Sequence, residues 1–211
     1  MREERIVIGG HDLVIRRPDD PEALIDESRF EQDEFLPYWA ELWPSGVALA
    51  RHVTGLDLAG ARVLELGCGL ALPSFVAALR GADVLATDWA PEALELVAAN
   101  AAANGLRVAT ELVDWQAAPT LGRGSFDAVL AADVLYEERN AVPLVATLGT
   151  TVVERGMAVV ADPGRRHAAA FFERAAASGW SVDHAAAPEI PSGGIATLRR
   201  ATSRADGRTL C

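Results

Sequence analysis

The stretch "ARVLELGCGLALPSFVAALRGADVLATD", residues 61–88, decides the fold. Its first half is a short apolar run ending at Leu66, followed by two glycines, Gly67 and Gly69. A helix pattern comes next, with Pro73 in its first turn and Gly81 near its end, and a second apolar run closes on Asp88. Proline suits a first helical turn because its missing N–H has no intrahelical partner there, and glycine suits a helix stop. The stretch therefore predicts strand, helix, strand. The pattern repeats outward: Pro91 opens "PEALELVAANAAANG", a helix stopped by Asn104-Gly105, and "LRVATELVDW" and "FDAVLAADVLY" follow as third and fourth strands. "NAVPLVATLGTTVVERG" predicts a helix, "MAVVADPG" a fifth strand and "RRHAAAFFERAAASGW" another helix. Strands alternating with helices predict an α/β fold, a parallel sheet covered by helices on both faces. "WSVDHAAAPEI" and "GGIATLRRA" have no helix between them, which predicts a C-terminal antiparallel hairpin. Upstream, "RIVIGGHDLVIRRP" alternates around Gly9-Gly10 as an N-terminal β-hairpin extension, and "DESRFEQDEFLPYWAELWPSGVALARHV" reads as loop and helix. Residues 1–34 are expected to form a hairpin and a possible lid, and residues 35–211 the main domain, as one folded unit.

Composition narrows the function. The net charge is −11, and all 19 Lys+Arg residues are Arg. Nucleic-acid binding relies on clustered cations that displace counterions, so DNA and RNA are not expected partners. Cys68 and Cys211 form no ligand cluster or disulfide framework, which predicts a metal-free protein. No signal-peptide core and no apolar run of bilayer length is present, so the expected location is cytoplasmic, without a membrane partner.

Open α/β sheets bind ligands beyond the carboxyl ends of their strands. Those ends are acidic here: Glu65, Asp88, Asp114, Asp133 and Asp162 stand at or near the ends of the five predicted strands. "ELGCG" departs from the dinucleotide fingerprint, since Leu72 replaces the third glycine and Pro73 removes an N–H that would cradle pyrophosphate. Asp88, 21 residues after Gly67, is placed to accept hydrogen bonds from ribose hydroxyls. Carboxylates with no Arg for phosphate favour a cationic nucleoside. S-adenosylmethionine meets these demands.

At these residues the chain resembles the class I, seven-β-strand, S-adenosylmethionine-dependent methyltransferases, over roughly residues 35–200, with "VLELGCG" and "ATDWAPEAL" as the first two motifs. "PYWAELWPSG", "ADVLYEE" and "VADPGRR" narrow the resemblance to the family 16 type that modifies protein lysines, most like the branch acting on the β-subunit of electron transfer flavoprotein. The resemblance implies a Rossmann-like, seven-stranded, mostly parallel sheet. It implies cofactor contacts from Trp43, Glu65, Gly67, Cys68, Gly69, Asp88, Trp89, Asp114, Trp115 and Ala132. Asp133 and Tyr136 form the family's D-x-x-Y element facing the incoming amine, as the catalytic pair. Trp39, Asp162 and Arg165 are expected on the substrate side, although Asp162 can equally be read as a turn-former after its strand and Trp39 as core packing.

Methyl transfer to an amine requires an aligned, neutral nitrogen. A lysine near its usual pKa of ~10.4 must therefore be bound, desolvated and deprotonated. Asp133 suits recognition of the ammonium, with Tyr136 as a polar and aromatic wall, and Trp39 and Tyr38 as further walls of a cage. Two other readings stay open: a small-molecule amine methyltransferase, which needs an enclosed pocket, and a catalytically silent nucleoside-binding module. Oligomeric state, acceptor identity and degree of methylation are not legible in the chain.

Overall fold

The computed structural model describes residues 1–20, 37–114 and 121–200. The strands are β1 (Arg2–Ile8), β2 (His11–Arg17), β3 (Arg62–Leu66), β4 (Asp83–Asp88), β5 (Ala109–Leu112), β6 (Phe126–Ala132), β7 (Val152–Asp162), β8 (Trp180–Ala185) and β9 (Gly194–Arg200). The helices are α1 (Pro44–Val53), α2 (Leu72–Leu79), α3 (Pro91–Ala103), α4 (Ala141–Thr151) and α5 (Ala168–Ala177). Seven strands form one sheet in the order β5-β4-β3-β6-β7-β9-β8. β3, β4, β5, β6 and β7 pair in parallel, and β9 pairs antiparallel with both β7 and β8, so β9 alone runs against the rest. The predicted α/β sheet with its terminal hairpin is present.

Alternation along the central strands sends successive side chains to opposite faces. Val63, Leu130 and Val159 join a core with α1, α2, α3 and the N-terminal hairpin. Leu64, Val129 and Val160 join a second core under α4 and α5. Both faces are thereby covered, as nearly continuous apolar strands require.

The hairpin belongs to the first core, burying Ile8, Leu13 and Ile15. Gly9 and Gly10, with φ of 57° and 84°, form its two-residue turn, the conformation such turns need. Asn100 in the last turn of α3 and Asn104 at its C-cap, one turn apart, grip the free edge of β2. Asn100 accepts from the Arg16 N–H and donates to the Arg16 carbonyl, both at 2.9 Å. Asn104 does the same for Val14, at 2.8 and 2.7 Å. A helical turn of ~5.4 Å and two strand residues of ~6.8 Å are close enough in length for both amides to reach. Arg17, nearly buried, bonds Glu4 and reaches Glu41 at 3.0 Å, which joins the hairpin to the segment ahead of α1.

Three boundaries differ from the sequence expectation. The helix predicted through Gly156 ends at Thr151, and Val152–Asp162 is one strand of 11 residues. The β-branched run Thr150-Thr151-Val152-Val153 favours extended backbone, and Gly156 is tightly packed, its missing Cβ 2.8 Å from the Asp127 carbonyl. The third strand keeps four residues, all exposed, at the sheet's outer edge. The fourth strand stops at Ala132, where the chain turns.

Candidate active site

The site lies at the carboxyl edge of the sheet, where β3, β4, β6 and β7 end side by side. After β3, Gly67 and Gly69 take φ of 62° and 49°. A Cβ at Gly69 would stand 3.2 Å from the Trp39 carbonyl, so this loop is pressed against the short 3-10 turn Tyr38–Ala40. Asp88, at the end of β4, accepts the Gly69 N–H at 2.9 Å through Oδ2 and the Ala90 N–H at 3.0 Å through Oδ1. Burial pushes its carboxyl above the usual range. Each carboxylate oxygen offers more than one lone pair, so Asp88 keeps acceptor capacity for hydroxyls beside the glycine loop. Trp89 follows it and is exposed.

Glu65 faces elsewhere than its sequence position suggests. Its carboxyl takes the N–H and the hydroxyl of Ser74, in the first turn of α2, and is 1% exposed. Burial pushes its pKa up to about 8. It pins the helix that follows the glycine loop. Cys68 is buried, and burial pushes its thiol up, as for a packing cysteine. Asp114 is exposed just beyond β5, and Trp115 lies outside the described residues.

At the far end of the cleft from Asp88, Ala132 ends β6 and Asp133 turns left-handed, with φ of 58°. Its N–H donates to the Ala161 carbonyl at 2.9 Å, which ties β6 to β7 where both end. The Asp133 side chain is nearly buried. Its Oδ1 accepts from Arg165 Nε at 2.8 Å, and its Oδ2 faces the Ser45 hydroxyl at 3.4 Å. Three rings form a cluster: Tyr38 lies 6.0 Å from Trp43 and 5.8 Å from Tyr136, both edge-on. Trp43 Nε1 donates to the Tyr38 carbonyl at 2.8 Å, and the Arg165 guanidinium carbon is 5.9 Å from the Trp43 ring centre. Burial raises the Tyr136 hydroxyl pKa. Tyr38 and Tyr136 remain 44% and 39% exposed, so this side is open among the described residues.

Asp162 and Arg165 sit on the turn after β7. Asp162 Oδ1 accepts the Gly164 N–H at 2.8 Å and the Arg165 N–H at 2.7 Å, the turn-forming alternative, while Oδ2 is buried without a hydrogen-bond partner. Ser45 is a site residue that sequence reasoning missed. Its signal was the small polar residue after Pro44 in the first turn of α1, buried under the acceptor pocket. The ring contacts of Tyr38 join the cluster at Asp133, while Trp39 lays its backbone over Gly69. Among the described residues no group of His, Cys, Asp and Glu could hold a metal ion, and no helix is long and apolar enough to cross a membrane.

The sequence and the fold have counterparts among known proteins. The chain is 36% identical over 137 residues to an electron transfer flavoprotein beta subunit lysine methyltransferase from Xenopus laevis, covering 61% of this chain and 53% of that protein. It is also 36% identical over 118 residues to the protein N-lysine methyltransferase METTL21A of Mus musculus, covering 52% of this chain and 54% of the relative. The chain thus spans about half the length of the curated relatives it matches. In fold it is similar to magnesium protoporphyrin IX methyltransferase from Synechocystis PCC 6803 with bound SAM, at a TM-score of 0.62 and 17% identity, covering 88% of this chain and 100% of that one. A family model described as lysine methyltransferase matches residues 27–177, which is most of the chain and includes every described site residue named above; the chain belongs to that family.

Proposed function

We propose that this protein is an S-adenosylmethionine-dependent methyltransferase acting on a lysine side chain of another protein. The observation that carries the reading is the pairing of a ribose-suited carboxylate, Asp88 at the end of β4, with a nearly buried carboxylate, Asp133, whose partner Arg165 lies against an open aromatic rim. Bound S-adenosylmethionine supplies an electrophilic methyl group on a sulfonium. Asp88 is suited to its ribose hydroxyls, Gly67, Cys68 and Gly69 to close backbone approach, and Trp89, Asp114, Trp115 and Ala132 to the rest of its outline. Trp43, with its ring on the acceptor cluster, is suited to the boundary between the two halves. Glu65 acts through Ser74, as a positioning residue for the loop.

Asp133 recognises the arriving ammonium and, once its proton has passed to water at the exposed side of the cluster, orients the neutral nitrogen by hydrogen bonding. Tyr136 and Tyr38 flank the aliphatic stem and desolvate it, which lowers the lysine pKa. An open rim fits a side chain presented by a protein better than a free metabolite. The net charge of −11 favours basic protein surfaces and disfavours nucleic acid as acceptor. A cytoplasmic site of action belongs to the same reading, on the ground that the two cysteines form no disulfide framework.

The first candidate acceptor is the β-subunit of electron transfer flavoprotein, because relatives named for it match at 36% and 35% identity. The test is incubation with radiolabelled S-adenosylmethionine and purified electron transfer flavoprotein, followed by mass spectrometry. Label on a β-subunit lysine is the expected result. Label confined to small molecules when cell extract is supplied would overturn the protein acceptor and favour a small amine. This chain contains no lysine, so it contributes no methyllysine of its own.

A further inference from the structure

Asp133, the carboxylate read above as the ammonium recogniser, already holds a cation. Arg165 Nε lies 2.8 Å from Asp133 Oδ1, and the two side chains are 37% and 6% exposed. The guanidinium carbon is 5.9 Å from the Trp43 ring centre, among the rings that link Trp43 through Tyr38 to Tyr136. A carboxylate floor with an aromatic wall is the chemistry that binds an alkylammonium. Here the protein's own arginine is seated in it.

The geometry points to Arg165 as an internal stand-in for the acceptor cation, which closes the Asp133 subsite to small free amines and yields only to a lysine delivered on a docked protein. This role deepens the lysine-acceptor reading and rests on it. The physical reason is competition. Arg165 is tethered beside Asp133, so it competes at the effective concentration of an intramolecular group, in the millimolar range or above. A free amine at lower concentration meets an occupied carboxylate. A lysine on a protein brings further binding energy from the surface around it, which can offset the broken ion pair.

The displaced guanidinium has somewhere to go. The Arg165 backbone stays fixed, because its N–H bonds Asp162 Oδ1 at 2.7 Å and its carbonyl accepts the Ala168 N–H at 3.0 Å. The side chain is already 37% exposed, so rotation about its own bonds returns the charge to water. Meanwhile the Ser45 hydroxyl at 3.4 Å remains beside the other oxygen of Asp133. Arg165 is therefore a specificity-determining residue, which sets what kind of amine enters.

The test measures binding of n-butylammonium chloride to the full chain by nuclear magnetic resonance titration at constant ionic strength, without cofactor. Arg165→Ala is expected to bind it about ten-fold or more tightly than the wild type, the scale of one charge-assisted hydrogen bond. Arg165→Lys, which keeps a tethered cation, is expected to remain as weak as the wild type. Asp133→Asn added to Arg165→Ala is expected to abolish the gain. If Arg165→Ala loses its folded circular dichroism spectrum, Arg165→Met, which keeps the aliphatic stem, takes its place. No gain in a folded Arg165 variant would overturn the proposal, as would a gain that survives Asp133→Asn. Calorimetric titration of the wild type with S-adenosylhomocysteine judges the methyltransferase reading separately, since the n-butylammonium result does not depend on it.

Discussion

Asp133 holds a left-handed conformation, φ 58°, that costs most L-residues of order 1 kcal/mol or more. Asparagine is among the few other residues that adopt it readily, so Asp133→Asn removes the charge while leaving the turn intact. The variant is expected to lose roughly 10²-fold in kcat for methyl transfer, the scale of a misplaced reacting nitrogen. Its affinity for S-adenosylhomocysteine is expected to stay within about two-fold, since the ribose partner is Asp88 on β4, with β3 between it and β6. Single-turnover rates alongside calorimetry check both parts. The roles of such residues were legible only as far as their spacing allowed. Asp133, as a carboxylate closing a strand, could be singled out from "AADVLY" alone. Its ties to Arg165 and Ser45 span 32 and 88 residues and exist only once β7 and α1 are packed beside it. Glu65 shows the converse: its place in the motif is plain, but the choice between cleft and helix is made by Ser74, which supplies both donors.

At the scale of elements, the asparagine pair at the end of α3 fastens the free edge of the hairpin. Asn100→Ala or Asn104→Ala leaves two backbone groups of β2 without their partners, a loss of about 1–3 kcal/mol where water cannot replace them. Asn100 is fully buried, so its substitution is expected to cost more. Hydrogen exchange checks the assignment: the Arg16 amide is expected to exchange faster in Asn100→Ala, and the Val14 amide in Asn104→Ala, while β3 and β6 keep their protection. The elements themselves were mostly readable, because apolar strands and proline-opened helices carry strong local signals. The boundary at Thr151 was not, since "TTVVERG" continues an apolar helical pattern while its β-branched residues favour a strand. Tertiary pairing with β6 decides that contest.

For the whole molecule, buried carboxyls make stability depend on pH. Glu65 has a pKa of about 8 in the fold against 4.5 as the ordinary value. Between those values the unfolded chain has released a proton that the folded chain keeps. Stability from this group is therefore full below about pH 4.5, falls as pH rises, and reaches its floor above pH 8. The slope is at most about 1.4 kcal/mol per pH unit. Glu65→Gln is expected to flatten this part of the profile, measured by chemical denaturation between about pH 5 and pH 8. The order β7-β9-β8 also has a consequence during synthesis. β8 is made before β9, yet bonds to the sheet only through it, so β7 and β8 both wait with unpaired backbone until the later strand is inserted between them. A chain that has emerged or refolded but has not yet seated β9 holds two open edges at once, the state in which incomplete chains are most prone to stick to one another.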